Sequence, residues 1–411
     1  MLRSLFSGIS GLRAHQTMLD VTGNNIANVN TTGFKSSQTQ FQDTLSQVLT
    51  NAGGAQEGVG GTNPAQVGLG VRVAGITTNF QQGAAQLTNR STDMMISGDG
   101  FFVVRKGAEQ LYTRAGAFDF DARGQLVTPD GGLVQGWAAA ADGTIDVNGP
   151  LTDMRLPIAT LMGAQPSGTA TFEGNLPADA TAGDPLASPP VPATVLNRSI
   201  DVHDAAGTVR SLGMSFTRTA TGWDITAAVA GTAQTATGSI SFNADGTTRS
   251  AVLPTMPADP TTGMAALTVD LATVTGFAGL TTVEASGQDG RAAGTLQSFT
   301  INADGTLLGS FSNGLKQALG RVSLATFTNP SGLEKNGGSL FGTTVNSGDP
   351  QIGAAGSGGR GELSGGTLEM SNVDLSAEFT NLIIAQRGFQ ANSRVITTSD
   401  ELLQELVNLK R

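Results

Sequence analysis

Apolar residues recur in alternating steps of three and four along the first thirty positions, at Leu2, Leu5, Ile9, Leu12, Leu19 and Ile26, with Gln16 and Gly23 interrupting. That spacing predicts a helix from about Arg3 to Asn28 with a heptad seam on one side, ended by Thr31, Thr32 and Gly33. The last forty residues repeat the pattern: Leu375, Leu382, Phe389, Ile396 and Leu403 follow at intervals of seven, with Phe379 and Val407 between. Asp374 or Ser371 offers a side-chain oxygen to cap this second helix. A further row at Val395, Leu402 and Leu409, with Ile384 and Leu406 nearby, makes the stripe wider than one partner helix covers. Each large apolar side chain gains roughly 1.5–3 kcal/mol on burial, so a lone chain leaves much of that stabilisation unrealised.

Between the ends the pattern shortens to strand-like alternations, such as Gly100 to Lys106 and Val322 to Thr328, punctuated by Gly, Asn, Asp and Pro. Asn51 to Gly61 holds five glycines and almost no large apolar side chains, and reads as a flexible connection. Residues 159–293 are richer in Ala, Thr and Pro, with Pro185, Pro189, Pro190 and Pro192 in loop-like text, and read as an insertion. The expected fold is therefore α+β and multidomain. Residues 1–30 with 372–411 form a coiled-coil-like helical core for polymerisation, and 31–70 is a linker. Residues 71–158 with 294–371 form an inner β domain, and 159–293 an inserted outer β domain.

Composition supports turn-rich β structure in the middle: 56 of 411 residues are glycine and only 14% are charged. A net charge of −10 repels phosphate backbones and anionic lipid surfaces, which argues against nucleic acid and membrane partners. No run of 18 apolar residues suggests membrane insertion. Met1 to His15 breaks its apolar positions with glycines and serines, unlike a cleaved signal peptide. With zero cysteines, disulfides and thiol catalysis are excluded.

Candidate chemistry is sparse. The repeated Asn-Ala-Asp-Gly text at 243–246 and 302–305 lacks the closing glutamate of a calcium loop and reads as hairpin turns. His15 and His203 stand apart with no metal-ligand spacing, and no Gly-x-Ser-x-Gly elbow accompanies them. Gly353 to Gly361 is not followed by Gly-Lys-Ser/Thr, so it reads as a loop. The chain is expected to be neither an enzyme nor a cofactor or metal carrier. Asn24, Asn25, Asn28 and Asn30 stand out at the end of the first helix, where amides are poor helix formers. They read either as capping and fraying or as interhelical hydrogen bonding that fixes register.

The text Ser10-Gly-Leu-Arg-Ala, then Leu19-Asp-Val-Thr-Gly-Asn-Asn-Ile-Ala-Asn-Val-Asn-Thr-Thr-Gly-Phe-Lys35, resembles the N-terminal signature of the bacterial flagellar rod and hook family. Leu368-Glu-Met-Ser-Asn-Val-Asp-Leu375 and Ala385-Gln-Arg-Gly-Phe-Gln-Ala-Asn-Ser-Arg-Val-Ile-Thr397 are similar to its other end. Further similar text lies at Asn63 to Gly70, Gly98 to Val103, Phe311 to Gly314, Phe327 to Leu333 and Val202 to Gly207 with Trp223. The inserted middle implies the hook branch, and the shorter distal rod subunit is the alternative. An unrelated secreted wall-cleaving or adhesive β protein is the reading from another class.

The resemblance implies a homopolymer: a flexible helical tube acting as a universal joint, exported through the flagellar type III apparatus without a cleaved signal peptide. Its implied partners are the distal rod, a hook cap and hook-filament junction proteins, in an extracellular hook and basal body setting. The residues expected to carry self-assembly are Leu5, Ile9, Leu12, Leu19, Asn24, Asn25, Ile26, Asn28, Gly33 and Phe34 at one end. At the other they are Leu375, Phe379, Leu382, Gln386, Phe389, Asn392, Ile396, Leu403 and Val407.

Overall fold

The computed structural model describes residues 2–54, 57–58, 60–156, 161–184 and 186–408. Pro185 and Leu409 lie outside these residues, as do the side chains of Leu2 and Leu406. Helix α1 spans Leu2–Ala27 and helix α2 spans Leu375–Asn408, with many strands between them. The chain divides into two compact units: residues 1–156, 299–309 and 317–411 make the first, and residues 157–298 with 310–316 make the second.

In the first unit, α1 and α2 pack against each other, and α1 also meets a two-stranded ribbon. Strand β1 (Ser37–Asp43) runs antiparallel to β4 (Val71–Thr78), with a bulge at Gln40/Phe41. The Val71 amide donates to Ser10 Oγ of α1 at 3.3 Å. A second ribbon pairs β2 (Ser46–Thr50) with β3 (Ala65–Gly68), so the segment 31–70, expected as a linker, contains three strands. Its β2 and β3 are exposed along their whole length, and without a buried face they leave no period-two signal. The glycine-rich stretch from Asn51 falls between them in sequence, and residues 55, 56 and 59 of it lie outside the described residues.

Strands β5 (Ala85–Leu87) and β6 (Met94–Ser97) pair with Thr367–Glu369 and Glu362–Gly365, which brings the chain leading into α2 beside the unit's core. Strands β7 (Phe101–Lys106) and β8 (Glu109–Thr113) form a hairpin, and β7 also pairs with strands Leu133–Ala138 and Lys316–Thr326. Phe101 is the centre of the packing there. Phe80, Phe327 and Phe341 meet its ring edge-to-face at 5.4, 5.7 and 5.9 Å, the arrangement that ring quadrupoles favour.

The second unit is all β. Strands Val195–His203, Val209–Arg218, Trp223–Val229, Thr235–Phe242 and Thr248–Val252 make an antiparallel sheet in sequence order. A smaller sheet around Thr169–Asn175 shares its core, where Trp223, Phe172 and Phe216 are fully buried. Strand Trp223–Val229 alternates buried and exposed at every position, the period-two signature of a sheet with one wet face. The Asn-Ala-Asp-Gly segments, the first in this unit and the second in the first unit, are tight turns: Gly246 and Gly305 take φ of 79° and 81°, and Asp245 and Asp304 accept from the Thr247 and Thr306 amides.

Because Ile225 is fully buried in this core, Ile225→Ala should cost about 2–4 kcal/mol. Amide exchange along Trp223–Val229 is then expected to quicken by about 30-fold or more, while β7 in the other unit stays as protected as before.

Candidate self-assembly interface

The two terminal helices run antiparallel in a single register. Ser4 Oγ lies 3.5 Å from Ser399 Oγ, Gly11 faces Asn392, Gly388 faces the His15 ring, and Asn25 Nδ2 donates to Glu378 Oε1 at 2.9 Å. Each step forward on α1 is matched by an equal step back on α2. The contact positions on α1 are Ser4, Gly8, Gly11, His15, Met18, Thr22 and Asn25, in steps of four and three. Their counterparts on α2 are Glu378, Asn381, Ala385, Gly388, Asn392, Val395 and Ser399. Apart from Met18 and Val395, this seam is small or polar. A Cβ added at Gly11 would sit 2.6 Å from Asn392 Oδ1, and one at Gly388 would sit 2.5 Å from the His15 ring, so the helices approach closely because side chains are missing there.

The apolar rows read from the sequence lie one residue further on than the seam. On α1 they are Leu5, Ile9, Leu12, Leu19 and Ile26; on α2 they are Leu375, Phe379, Leu382, Gln386, Phe389, Ile396, Leu403 and Val407. One residue is about 100° around a helix, so these side chains flank the seam, with Ile396 Cγ1 reaching in against Gly8. Antiparallel helices are related by a two-fold axis perpendicular to their plane, which places both rows on the same side of the pair. They form one apolar face across two helices. Within the chain it is only half covered: Leu5, Ile9, Leu12, Leu19, Ile26, Leu382, Phe389, Ile396 and Leu403 are half-buried, and Gln386 is exposed. Leu375, Phe379 and Val407 are 40%, 51% and 69% exposed.

The inner ends of both helices are fixed by polar groups. Asn25 is buried, and besides Glu378 it holds the Ser37 backbone, donating to its carbonyl at 2.8 Å and accepting from its amide at 3.0 Å. Asn28 donates to the Asn24 carbonyl at 2.9 Å and to its side chain at 3.0 Å. The asparagine cluster therefore divides: Asn25 links the two helices, while Asn24 and Asn28 satisfy one another at the end of α1. Asn392 belongs to the seam, and Asp374 caps α2 by accepting from the Ser376 amide at 2.8 Å.

Below the helices lies a charge cluster that periodicity does not reveal. The Lys35 ammonium meets Glu369 Oε1 at 2.6 Å with both side chains fully buried, and Arg114 approaches Glu369 Oε2 at 3.5 Å. Lys35 also donates to the Gln81 carbonyl, and the Gly83 amide donates to Glu369. Burial pushes the pKa of both Lys35 and Arg114 down, with Glu369 pulling each back up. Gly33, two residues before Lys35, donates to the Glu369 carbonyl at 2.8 Å with φ of 66°; a Cβ there would lie 2.4 Å from the Ala115 amide nitrogen. Phe34 is half-buried, with the Lys335 ammonium 5.2 Å from its ring centre. Lys35, Arg114 and Glu369 come from three distant parts of the chain, so only the fold brings them together.

Comparison with known proteins covers most of this architecture. Family patterns match at residues 5–35 (flagella basal body rod protein), 95–160 (flagellar hook protein FlgE/F/G D1 domain), 175–317 (flagellar basal body protein FlaE D2 domain) and 364–409 (flagellar basal body rod FlgEFG protein C-terminal). The flagellar hook protein FlgE of Borreliella burgdorferi is 39% identical over 100% of both chains. That of Salmonella typhimurium is 35% identical over 99% of this chain and 100% of its own. The chain belongs to the flagellar hook protein family.

A Bacillus subtilis flagellar basal-body rod protein FlgG is also similar, at 33% identity over 100% of both chains. The crystal structure of the Helicobacter pylori flagellar hook protein FlgE2 shares the fold with a TM-score of 0.53, at 15% identity over 68% of this chain and 98% of that one. The flagellar hook family is structural, and the chain is not an enzyme. The match at 5–35 contains α1 from Leu5 onward, Gly33 and Lys35, while the match at 364–409 contains Glu369 and α2. The buried ion pair thus joins the two terminal segments of a hook-family chain.

Removing one partner of such a buried pair strands the other, at a cost of about 3–5 kcal/mol. Glu369→Gln should destabilise the first unit by about that amount, read as a lower urea midpoint from Trp137 fluorescence with Trp223 replaced by Phe in both proteins. Without its counter-charge, Lys35 should release its proton in the folded state well below the unfolded value of about 10.4. The unfolded chain then binds more protons, so the variant's stability should rise, and its deficit shrink, from about pH 7 to about pH 9.5.

Proposed function

We propose that this structural subunit of the flagellar hook polymerises through its paired terminal helices into a helical tube. The observation that carries the reading is the apolar face shared by α1 and α2, which the chain itself only half covers. Neighbouring copies bury it, adding helices side by side until the pairs form a coiled-coil-like inner wall. The residues of that face, from Leu5 to Ile26 and from Leu375 to Val407, are the self-assembly residues, and Gly33, Phe34 and the asparagines fix how the helices leave the β body.

Tight helical packing makes such a wall stiff in torsion. Contacts among the Gly-, Ala- and Thr-rich β units are weaker and slide as the tube bends. The assembly acts as a universal joint between the rod and the filament. The subunit leaves the cell through the flagellar export apparatus without a cleaved signal peptide. It meets the distal rod, a growing-end cap and the junction proteins. No helix among the described residues is long and apolar enough to cross a membrane.

Similarity to the Bacillus subtilis rod protein supports a second reading as a distal rod subunit. Electron micrographs of the polymerised chain separate the two: curved tubes support the hook and straight rigid ones the rod. Changing Leu382 and Phe389 together to Asp should abolish tubes at concentrations where the parent assembles fully, with the second unit still folded. If α1 and α2 order only on assembly, amide exchange from Leu5 to Ile26 should be fast in the monomer and slow in the tube; equal protection in both states would overturn that view.

A further inference from the structure

The sequence contains three Asn-Gly pairs, Asn148–Gly149, Asn313–Gly314 and Asn336–Gly337, and the fold treats them differently. An asparagine before glycine can cyclise, because the glycine has no Cβ to shield its amide nitrogen from the asparagine Cγ. The step needs a free side chain and a free amide, so hydrogen bonds on either group hold it back.

Asn313 is held on both counts. Its Nδ2 donates to the Ala292 carbonyl at 2.9 Å and its Oδ1 accepts from the Leu315 amide at 3.1 Å, while the Gly314 amide donates to the Phe311 carbonyl at 3.0 Å. Asn148 is exposed, but the Gly149 amide donates to the Asp146 carbonyl at 3.4 Å and the Gly149 carbonyl accepts from Trp137 Nε1 at 3.0 Å. Pro150 narrows the Gly149 backbone further.

Asn336 has neither restraint. It lies in the turn between strands Glu334–Lys335 and Leu340–Gly342, and both it and Gly337 are exposed. Its side chain makes no hydrogen bond among the described residues, and the Gly337 amide donates to none of them. A Cβ built at Gly337 would meet nothing within 4 Å, so the cyclic product has room to form.

We propose that Asn336 is a self-modification site that the native fold selects over the other two. The Gly337 nitrogen gives its proton to hydroxide and bonds to the Asn336 Cγ, the bond from Cγ to Nδ2 breaks, and ammonia leaves a five-membered succinimide. Water then opens the ring at either carbonyl, giving aspartate or isoaspartate, with no change of oxidation state. The hairpin concerned grips the turn after α1: the Lys335 ammonium donates to the Lys35 carbonyl at 3.2 Å and to Ser37 Oγ at 2.8 Å, and Phe341 packs edge-to-face on Phe80 and Phe101. Isoaspartate adds a methylene to the main chain inside the loop that the Asn336 amide closes on the Leu340 carbonyl at 2.9 Å, and either product adds a negative charge.

Peptide mapping of the full-length chain, held folded in mildly alkaline buffer, tests the proposal. The Asn336 peptide should gain about 1 Da at a rate about tenfold or more above those of Asn148 and Asn313. In urea the hydrogen bonds on Asn313 and Gly314 are gone, and Asn313 should convert within about threefold of Asn336. Asn336→Gln should remove the fast conversion and leave the two slow ones unchanged. The proposal is overturned if Asn148 or Asn313 converts as fast as Asn336 in the folded chain, or if Asn336 keeps its full lead in urea. In chains carrying isoaspartate, exchange of the Leu340 amide should quicken about tenfold over the Asn336→Gln variant, and equal exchange would overturn the effect on the hairpin.

Discussion

Glu369 is the constraint on which the rest of the first unit depends. Two cations, Lys35 and Arg114, are fully buried, and a single carboxylate lies between them. Burying such charges is expensive, and Glu369, the Gln81 carbonyl and the Gly83 amide offset part of that cost. The geometry tolerates little displacement. Gly33 comes two residues before Lys35 and is held by the Glu369 carbonyl, so the turn that ends α1 is set from the core. Glu369 comes six residues before α2, so the same group also sets where that helix begins. The helices take their direction from a charged anchor beneath them.

Given that anchor, α1 and α2 can meet along residues that contribute little hydrophobic energy. Gly8, Gly11, Ala385 and Gly388 allow close approach, and Asn25 with Glu378 fixes the register by directional hydrogen bonds. The large side chains one position on remain available for other contacts. A pair held by leucines against leucines would have spent its apolar surface internally. The observed division gives the helix pair a defined shape and leaves its apolar face half uncovered.

Much of this was legible in the sequence because it is periodic. Both helices, the row from Leu5 to Ile26 and the row from Leu375 to Val407 follow from heptad spacing, and the β character of the middle follows from alternation and turn residues. The same spacing pointed to the rows as the helix seam, whereas the actual seam is one residue earlier. Small residues at 8, 11, 385 and 388 form an equally regular series, but hydrophobicity does not mark it. Strands β2 and β3 escaped because neither has a buried face. The Lys35–Arg114–Glu369 cluster could not be read at all: its members are 79 and 255 positions apart, and nothing local identifies a buried lysine.

The ion pair between Lys35 and Glu369 spans 334 residues. Closing so long a loop costs about 5 kcal/mol in chain entropy, and synthesis begins at the lysine end. A polypeptide interrupted between positions 114 and 369 holds both cations without the carboxylate that pairs with them. Such a fragment must leave Lys35 and Arg114 hydrated or bury them without their counter-charge, at a cost of several kcal/mol.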